Sequence, residues 1–246
     1  CSRGCPYGAY FSTQSATLPA AMKTGNLTLR PFSIVTKILY DKDKKKATGV
    51  EILDADTNQT YEFKSKIVFV CASALNSSWV LMNSATDIWP DGLGSSSGEL
   101  GHNVMDHHFR TGAQGTVEGF SDKYDYGRRP TGIYVPRFRN IYNDKRDYLR
   151  GFGYQGGAGR GRGVEVAEFT LGAALKEAMS VPNDNWNINF LGFGEMLPDH
   201  NNKITLDKNT KDKWGLPVLS FDVEMKENEK KMRVDMANDA KEMLEA

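Results

Sequence analysis

The fold class of this chain is indicated by the stretch Lys66-Ile-Val-Phe-Val-Cys-Ala-Ser-Ala-Leu-Asn-Ser-Ser-Trp-Val-Leu-Met-Asn-Ser84. Residues 66–71 form an apolar run, which predicts a strand buried on both faces, as in the centre of a parallel sheet. The small residues that follow suit a tight turn, and Trp79, Val80 and Met82 suit a helix that packs back on the sheet. This strand, turn and helix can present first-turn N–H groups to a phosphate or nucleotide, although an ordinary βα unit has the same pattern.

The residues before this stretch predict an antiparallel meander. A short helix is expected over residues 13–23, and four runs rich in β-branched and aromatic residues follow it. Polar turns at residues 41–46 and 54–58 join the later runs by short connections. The expected strands are 27–30, 33–40, 47–54 and 60–63.

The residues after position 108 predict a second, antiparallel sheet with long loops. A helical stretch is expected near 164–179, and the longest loop is expected at 122–130, where substrate contacts often lie. The expected strands are rich in glycine and aromatic residues and cover 109–117, 131–137, 149–154 and 187–193.

The C-terminal part of the chain predicts two short strands, at 203–206 and 216–221, and then a helix from about Glu227. The apolar residues of that helix share one face, so they are expected to pack in the core rather than to bind a cofactor. They are Met232, Met236, Ala240 and Met243. Together these patterns predict an α+β protein that contains an α/β element.

The composition is that of an ordinary globular protein. Among 246 residues, 31 basic and 31 acidic side chains give a net charge of zero, so no global field attracts nucleic acid or an anionic membrane. No apolar run approaches the roughly 18–20 residues that span a bilayer. Three cysteines are too few for a disulfide scaffold.

The stretch Gly98-Glu-Leu-Gly-His-Asn-Val-Met-Asp-His-His108 concentrates polar side chains after a Ser/Gly-rich loop. It contains three of the four histidines, so one interpretation is a divalent metal site, since imidazole and carboxylate are common ligands. A second is a loop that grips a cofactor through hydrogen bonds from Asn103, Asp106 and His107. A third is a solvated polar loop without a ligand.

One glycine motif is misleading. The stretch Gly151-Phe-Gly-Tyr-Gln-Gly156 satisfies G-x-G-x-x-G, the dinucleotide-binding pattern. That pattern needs a buried strand before it and a helix after it, whereas here polar residues 143–147 precede and the Gly/Arg-rich residues 157–163 follow. We therefore reject a nucleotide site here and expect the Gly/Arg-rich run to be a flexible loop.

Several segments carry a resemblance to a known family, in the same order as in that family. They are Cys5-Pro-Tyr-Gly-Ala9, Leu18-Pro-Ala20, Val68–Ser84, Gly101-His-Asn-Val-Met-Asp-His107, Glu195-Met-Leu-Pro198, Asn202-Lys-Ile-Thr-Leu-Asp207 and Asp212-Lys-Trp-Gly-Leu-Pro217. Together they resemble the glucose-methanol-choline (GMC) flavoprotein oxidoreductases over nearly the whole chain. The chain departs from the family pattern at Val104, where Leu is usual, and at Ala85, where Gly is usual.

The resemblance implies FAD as the cofactor and three parts of the chain. These would be a partial FAD-binding domain of βα elements and the meander (1–108), an antiparallel-sheet substrate domain packed by helices (109–200), and a segment returning towards the FAD domain (201–246). It also implies oxidation of an alcohol or sugar hydroxyl by hydride transfer to the flavin. The implied cofactor contacts are Val35, through its backbone to adenine, Ala72 and Ser73 near the dinucleotide, and Asn103, Asp106 and His107 on the flavin side.

The family's N-terminal G-x-G-x-x-G unit has no counterpart in this chain, and its catalytic His would lie beyond Ala246. The resemblance therefore implies no catalytic residue within these 246 residues. We expect the chain to be an internal fragment that is inactive alone and binds FAD weakly or not at all.

Within the family, the sequence resembles the bacterial sugar, glucoside or gluconate dehydrogenase branch more than the choline or aromatic-alcohol branches. Aromatic and Arg-rich loops could stack on and hydrogen-bond a sugar ring, which makes the candidate substrate contacts Tyr124, Arg128, Arg129 and Trp186. The alternatives are a metal-dependent phosphoesterase using Asp54, Asp56, Asp106, His107 and His108, and a non-catalytic carbohydrate-binding module. The electron acceptor stays open, as does a periplasmic or cytoplasmic location in a bacterium.

Overall fold

The computed structural model describes residues 9–108, 110–123, 132–162, 171–180 and 182–246. The chain divides into two compact units. The first comprises Cys1–Leu100 and Thr205–Ser220, and the second comprises Gly101–Ile204 and Phe221–Ala246. The described elements are helices and antiparallel sheets, so the predicted α+β class is confirmed.

The first unit contains a three-stranded antiparallel meander. Strands β1 (Ser33–Asp41), β2 (Lys46–Asp54) and β3 (Thr60–Lys64) lie in the order β1-β2-β3. Ile38 and Ile52 are 7% and 3% exposed, so the sheet contributes part of the core of this unit. The prediction of a meander with short polar turns is confirmed.

The N-terminal helix is also confirmed, as a π-helical turn over Thr13–Thr17 followed by α1 (Leu18–Lys23). The predicted strand at residues 27–30 is wrong, because this segment joins no sheet and is exposed. Pro31 lacks the N–H that a strand ladder needs, and Phe32 has a φ of 53°, so the chain turns before β1 begins.

The predicted buried strand at residues 66–71 is wrong as well. The segment is not assigned to a strand, and Ile67 and Phe69 are 67% and 84% exposed. An apolar run becomes a central strand only when strands pair with it on both edges, and no described strand does so. The described sheets are accordingly antiparallel, and the predicted α/β element is present only as its helix.

That helix is α2 (Ser73–Asn83), and its prediction is confirmed. Val80 and Met82 are buried, and the indole Nε1–H of Trp79 donates to the main-chain oxygen of Pro217 at 2.7 Å. At its C-terminal end, Ser84 accepts a hydrogen bond from the Ile38 N–H at 2.7 Å, which ties the helix to β1.

The second unit contains a four-stranded antiparallel sheet in the order β4-β7-β6-β5. Its strands are β4 (Gly112–Val117), β5 (Ile133–Val135), β6 (Phe152–Arg162) and β7 (Pro182–Gly194). A further helix, α3 (Gly172–Ser180), confirms the later part of the predicted helical stretch; its earlier part, 164–170, lies outside the described residues.

Helix α4 (Glu227–Glu245) covers one side of this sheet. Met232, Met236 and Ala240 are 0% exposed, which confirms the prediction that this apolar face belongs to the core. A Cβ at Gly194 would lie 2.8 Å from the sulfur of Met232, and one at Gly192 would overlap Met236. Glycine at these two positions therefore lets α4 lie close to β7.

The Gly/Arg-rich run is not the flexible loop that was predicted. Strand β6 runs through it to Arg162 and pairs with β7, because glycines without side chains leave room for the neighbouring strand's backbone. A Cβ at Gly156 would overlap the main-chain oxygen of Asn189. The G-x-G-x-x-G motif thus lies at the start of a strand rather than before a helix, so it lacks the strand-turn-helix context that a dinucleotide-binding motif needs.

The last sheet is the hairpin of β8 (Lys203–Lys211) and β9 (Pro217–Asp222), close to the two short strands expected there. The division between the units falls within both strands. Among the described helices, none has both the length and the apolar content that crossing a bilayer requires.

Candidate functional site

The predicted cofactor contacts divide between the two units. Val35, Ala72 and Ser73 lie in the first unit, and Asn103, Asp106 and His107 lie in the second.

Val35 lies on β1, which is an edge strand of the meander. The register of β1 shifts between Val35 and Lys37, so the strand is irregular beside this residue. Peptide groups of an edge strand that point away from its partner take no part in the ladder. The outer edge of β1 therefore suits the predicted backbone contact with adenine.

Ala72 and Ser73 lie at the N-terminus of α2. Ala72 is the N-cap and has no side chain that could cap the helix, and the first turn contains no acidic residue. Ser73 has a φ of 64°, an uncommon conformation for a residue other than glycine, and both residues are exposed. Uncapped first-turn N–H groups with the positive end of the helix dipole suit a phosphate oxygen, so this end of α2 fits the dinucleotide.

The loop of the second unit that contains Asn103 is held against the start of β8. The Val104 N–H donates to the Asn202 main-chain oxygen at 2.9 Å, and the Ile204 N–H donates to the Gly101 oxygen at 2.8 Å. Gly101 and Asn103 have φ values of 88° and 57°, so the loop bends twice in the left-handed region. These bonds fix the backbone from which the predicted cofactor side chains project.

Asn202 is the residue that sequence reasoning missed. Its side chain is 1% exposed and forms two hydrogen bonds with Glu224: Nδ2 donates to the main-chain oxygen at 3.1 Å, and Oδ1 accepts from the N–H at 3.0 Å. Its own main-chain oxygen holds Val104. Asn202 therefore links the candidate cofactor loop to the segment that leads into α4. Its motif was recognised in the sequence, but no pattern there showed the burial that defines its role.

Asp106 and His107 are exposed. The His107 main-chain N–H donates to Asp106 Oδ1 at 2.7 Å, which orients the carboxylate. The His107 ring meets Phe193 edge-on, with 5.9 Å between ring centroids. Side chains of this kind can accept and donate hydrogen bonds to a polar heterocycle, which is what the predicted flavin contacts require.

The three histidines of this loop have different surroundings. His102 Nδ1 is 2.6 Å from the His200 main-chain oxygen, and the two imidazole rings stack at 3.9 Å. His108 is 1% exposed, and both of its ring nitrogens are buried. Burial lowers the pKa of His108, and the positive charge of Arg233 lowers it further.

The metal interpretation therefore lacks a ligand set. Within the described ranges, no three His, Cys, Asp or Glu side chains are grouped so that they could hold an ion. Asp54 accepts hydrogen bonds from the N–H groups of Asp56 and Thr57 at 3.1 and 3.0 Å and pairs with Arg30 at 2.8 Å. Since this carboxylate stabilises its own turn, the phosphoesterase alternative finds no support in the structure.

Trp186 is the predicted substrate contact that the structure describes. It lies on β7, and its indole Nε1–H donates to the main-chain oxygen of Phe120 at 3.1 Å. Because side chains alternate along a strand, Trp186 lies on the same side of the sheet as Gly192, which faces α4. Its contact with substrate stays a prediction. The other predicted substrate contacts lie outside the described residues: Tyr124, Arg128 and Arg129.

Comparison with known proteins shows which family the N-terminal part of this chain resembles. Residues 1–109 match the family model described as GMC oxidoreductase, and the matched segment includes all six predicted cofactor contacts. The match places this segment with the N-terminal domain of GMC oxidoreductases, which is the FAD-binding domain of that family. The predicted resemblance to this family is confirmed over residues 1–109, and so is the predicted cofactor.

Two curated proteins are similar along most of the chain. A 2-methyl-1,2-propanediol dehydrogenase of Mycolicibacterium austroafricanum is 29% identical over 235 residues, which cover 92% of this chain and 41% of that protein. The fructose dehydrogenase large subunit of Gluconobacter japonicus is 26% identical over 227 residues, covering 91% of this chain and 40% of that subunit. The chain thus spans about two-fifths of the length of these relatives.

Proposed function

We propose that this chain is part of an FAD-dependent oxidoreductase that oxidises a hydroxyl of a sugar, glycoside or sugar acid. The observation that carries the proposal is the family match over residues 1–109, because it contains both the α2 N-terminus and the loop with Asp106 and His107. The names of the two relatives add support, since one is a diol dehydrogenase and the other a fructose dehydrogenase.

The predicted contacts would bind different parts of the cofactor. Ala72 and Ser73 would hold phosphate oxygens through first-turn N–H groups, and the outer edge of β1 at Val35 would meet the adenine. Asp106 and His107 would form hydrogen bonds on the flavin side. When bound, FAD supplies the acceptor for a hydride from the carbon that bears the hydroxyl.

We assign no general base within the described residues, because Asp106 and His107 are allotted to the cofactor. In the proposed enzyme a histidine outside this chain would take the hydroxyl proton. The 246-residue chain alone is therefore expected to show no turnover and to bind FAD weakly or not at all.

The cofactor assignment is tested by titrating FAD into protein made from the complete reading frame that contains this chain. We expect Asp106→Asn and His107→Ala each to weaken FAD binding by about tenfold, the loss that follows from about 1.4 kcal/mol in a charged or polar contact. Asp56→Asn is the matched control, since it removes an exposed carboxylate from a turn that contains none of the predicted cofactor contacts. Equal FAD affinity in all three variants would contradict the assignment.

The 246-residue chain gives a second test. Flavin absorbance that persists at one FAD per chain after desalting would overturn the expectation that the chain alone binds FAD weakly.

The substrate class is tested by comparing oxidation of a methyl glucoside, gluconate and an apolar primary alcohol. The proposal expects kcat/KM to be higher for the two polyhydroxylated compounds. Preference for the apolar alcohol would contradict it.

A further inference from the structure

The side of the second unit's sheet that faces away from α4 carries a cluster of neutral polar side chains. A Cβ at Gly115 on β4 would lie 3.7 Å from Leu244 of α4, so Gly115 faces the helix. Its neighbours along β4 therefore point to the opposite side. They pair directly with two asparagines of β7, Gln114 with Asn189 and Thr116 with Asn187. We call these four residues the amide face.

Glycines on the next strand leave a trough beside the amide face. Gly157 and Gly159 of β6 pair with Asn189 and Asn187 of β7, on the same side of the sheet. A Cβ at Gly159 would meet no atom of the described residues within 4 Å, so among these residues the space above it is open. Beside this trough, a cavity of about 440 Å³ is lined by residues of β4 and β7, namely the amide face with Gly115 and Ile188. This volume is within the range of about 300–1,000 Å³ that small-molecule sites occupy.

The chemistry of the lining matches hydroxyl groups. Gln114 and Asn189 make no side-chain hydrogen bond to any other described residue, and Thr116 approaches Asn187 only at 3.5 Å. Each amide offers two donors and an acceptor with two lone pairs, and a sugar hydroxyl both donates and accepts. Among the described residues, no charged side chain lines the cavity. A neutral ligand therefore fits better than a sugar acid, whose carboxylate would be left without a cation.

Two further residues extend this surface for a sugar. Gln155 lies two positions before Gly157 on β6, so it is on the same side of the sheet as the amide face. It pairs with Tyr134 of β5. Tyr134 is 69% exposed, so its ring offers an apolar face with a polar tip. An aromatic ring beside amides suits a pyranose, which has an apolar face and a rim of hydroxyls.

The amide face lies some distance along the sheet from the candidate flavin loop. Phe193 belongs to the same strand and the same side as Asn189, and its ring is the one that His107 meets. Phe193 lies four positions along the strand from Asn189, or about 13 Å, and six positions from Asn187, or about 20 Å. This separation is longer than one monosaccharide ring. A ligand whose reacting hydroxyl lies near His107 reaches the amide face only through further sugar units.

We infer that the amide face is a distal binding site for a neutral glycoside or short oligosaccharide. This rests on the proposed function, since it takes His107 to lie on the flavin side. The reacting sugar lies towards Phe193, and the sugars that follow it lie in the trough over Gly157 and Gly159. The substrate is accordingly a neutral glycoside rather than a free sugar acid.

Binding measurements on the 246-residue chain test the site without any turnover. Calorimetric titration with maltotriose, cellotriose, glucose and gluconate is expected to give the lowest Kd with one of the trisaccharides, at least tenfold below glucose. Asn189→Ala and Gln114→Ala are each expected to raise the trisaccharide Kd by about tenfold. The control Asn26→Ala removes an exposed amide from the first unit and leaves this Kd unchanged.

Gly159→Phe is a blocking variant that adds a side chain where the space is open. It is expected to abolish trisaccharide binding while the melting temperature and near-UV circular dichroism stay as in the unchanged chain. If Gly159→Phe fails to fold, Asn189→Ala alone decides the matter. The inference is overturned if the trisaccharide Kd is the same in the unchanged chain and in Asn189→Ala, or if gluconate binds more tightly than either trisaccharide.

Steady-state kinetics of the holoenzyme separate this inference from the proposed function. In Asn189→Ala we expect KM for the trisaccharide to rise about tenfold, with kcat and the KM for glucose unchanged. If glucose reduces the flavin but the protein binds no trisaccharide, the distal site is overturned and the proposed function stands. If Asn189→Ala weakens trisaccharide binding but no sugar or alcohol reduces the flavin, the site is supported as a binding surface and the proposed function is overturned.

Discussion

Replacing Asn202 by Ala tests the link that positions the candidate cofactor loop. The side chain is 1% exposed, and it bonds both main-chain groups of Glu224, at 3.1 and 3.0 Å. Alanine removes both bonds but retains the main-chain oxygen that accepts from Val104. The change therefore isolates the side-chain link between the loop and the segment before α4.

The expected cost follows from the two bonds. Each is worth about 0.5–1.5 kcal/mol net, so Asn202→Ala should destabilise the second unit by about 1–3 kcal/mol. At about 2–4 °C per kcal/mol for a chain of this size, the melting temperature should fall by about 2–12 °C. Asn202→Asp should cost more, because a carboxylate replaces the donor that faces the Glu224 oxygen and buries a charge.

The assay is thermal unfolding together with hydrogen exchange at the Val104 and Ile204 amides. Both amides should exchange faster in Asn202→Ala, since the backbone they bond to is no longer anchored to Glu224. Asn201→Ala is the control, because Asn201 is exposed and bonds Asp199 only through its main-chain N–H. A melting temperature and exchange rates equal to those of the control would refute the reasoning.

Three further predictions concern packing and pH. The pKa of His108 is lower in the folded chain than in the unfolded chain, so as pH falls the unfolded chain takes up the proton first. The free energy of unfolding should therefore be highest above the unfolded pKa of about 6.5 and decrease as pH falls below it. His108→Gln should reduce this decrease in denaturant titrations. Met236→Ala should cost about 2–5 kcal/mol, clearly more than Met243→Ala at a partly buried position, and equal denaturation midpoints would contradict this. Ser84→Ala should cost about 1–3 kcal/mol, because the buried Ile38 N–H loses its acceptor; protected exchange at that amide in the variant would count against it.

Elements that depend on local pattern were predicted well from the sequence. The meander follows from alternating runs with polar turns, and each of its strands bonds a neighbour close along the chain. The apolar face of α4 follows from helical spacing, which places Met232, Met236 and Ala240 on one side. In both cases the residues that decide the element lie within a few positions of one another.

Elements that depend on partners distant in the sequence were predicted poorly. Residues 66–71 have the composition of a buried strand, but without a described pairing strand Ile67 and Phe69 remain exposed. The Gly/Arg-rich run has the composition of a loop, yet pairing with β7 draws it into β6. Hydrogen bonding to a neighbour in space outweighs local composition in a sheet.

The sequence by itself determined the resemblance to the GMC oxidoreductases, through motifs in a fixed order, and therefore the cofactor that the N-terminal domain of that family binds. Only the tertiary structure decided which polar residues share a surface. Gln114 and Asn189 are 75 positions apart in the numbering, yet β4 and β7 pair them side by side. The burial of Asn202 and its hydrogen bond to Glu224, which the sequence pattern does not show, identify it as the link to the candidate cofactor loop. The physical reason is that chemical type is a property of the chain, whereas burial and register arise only when distant segments pair.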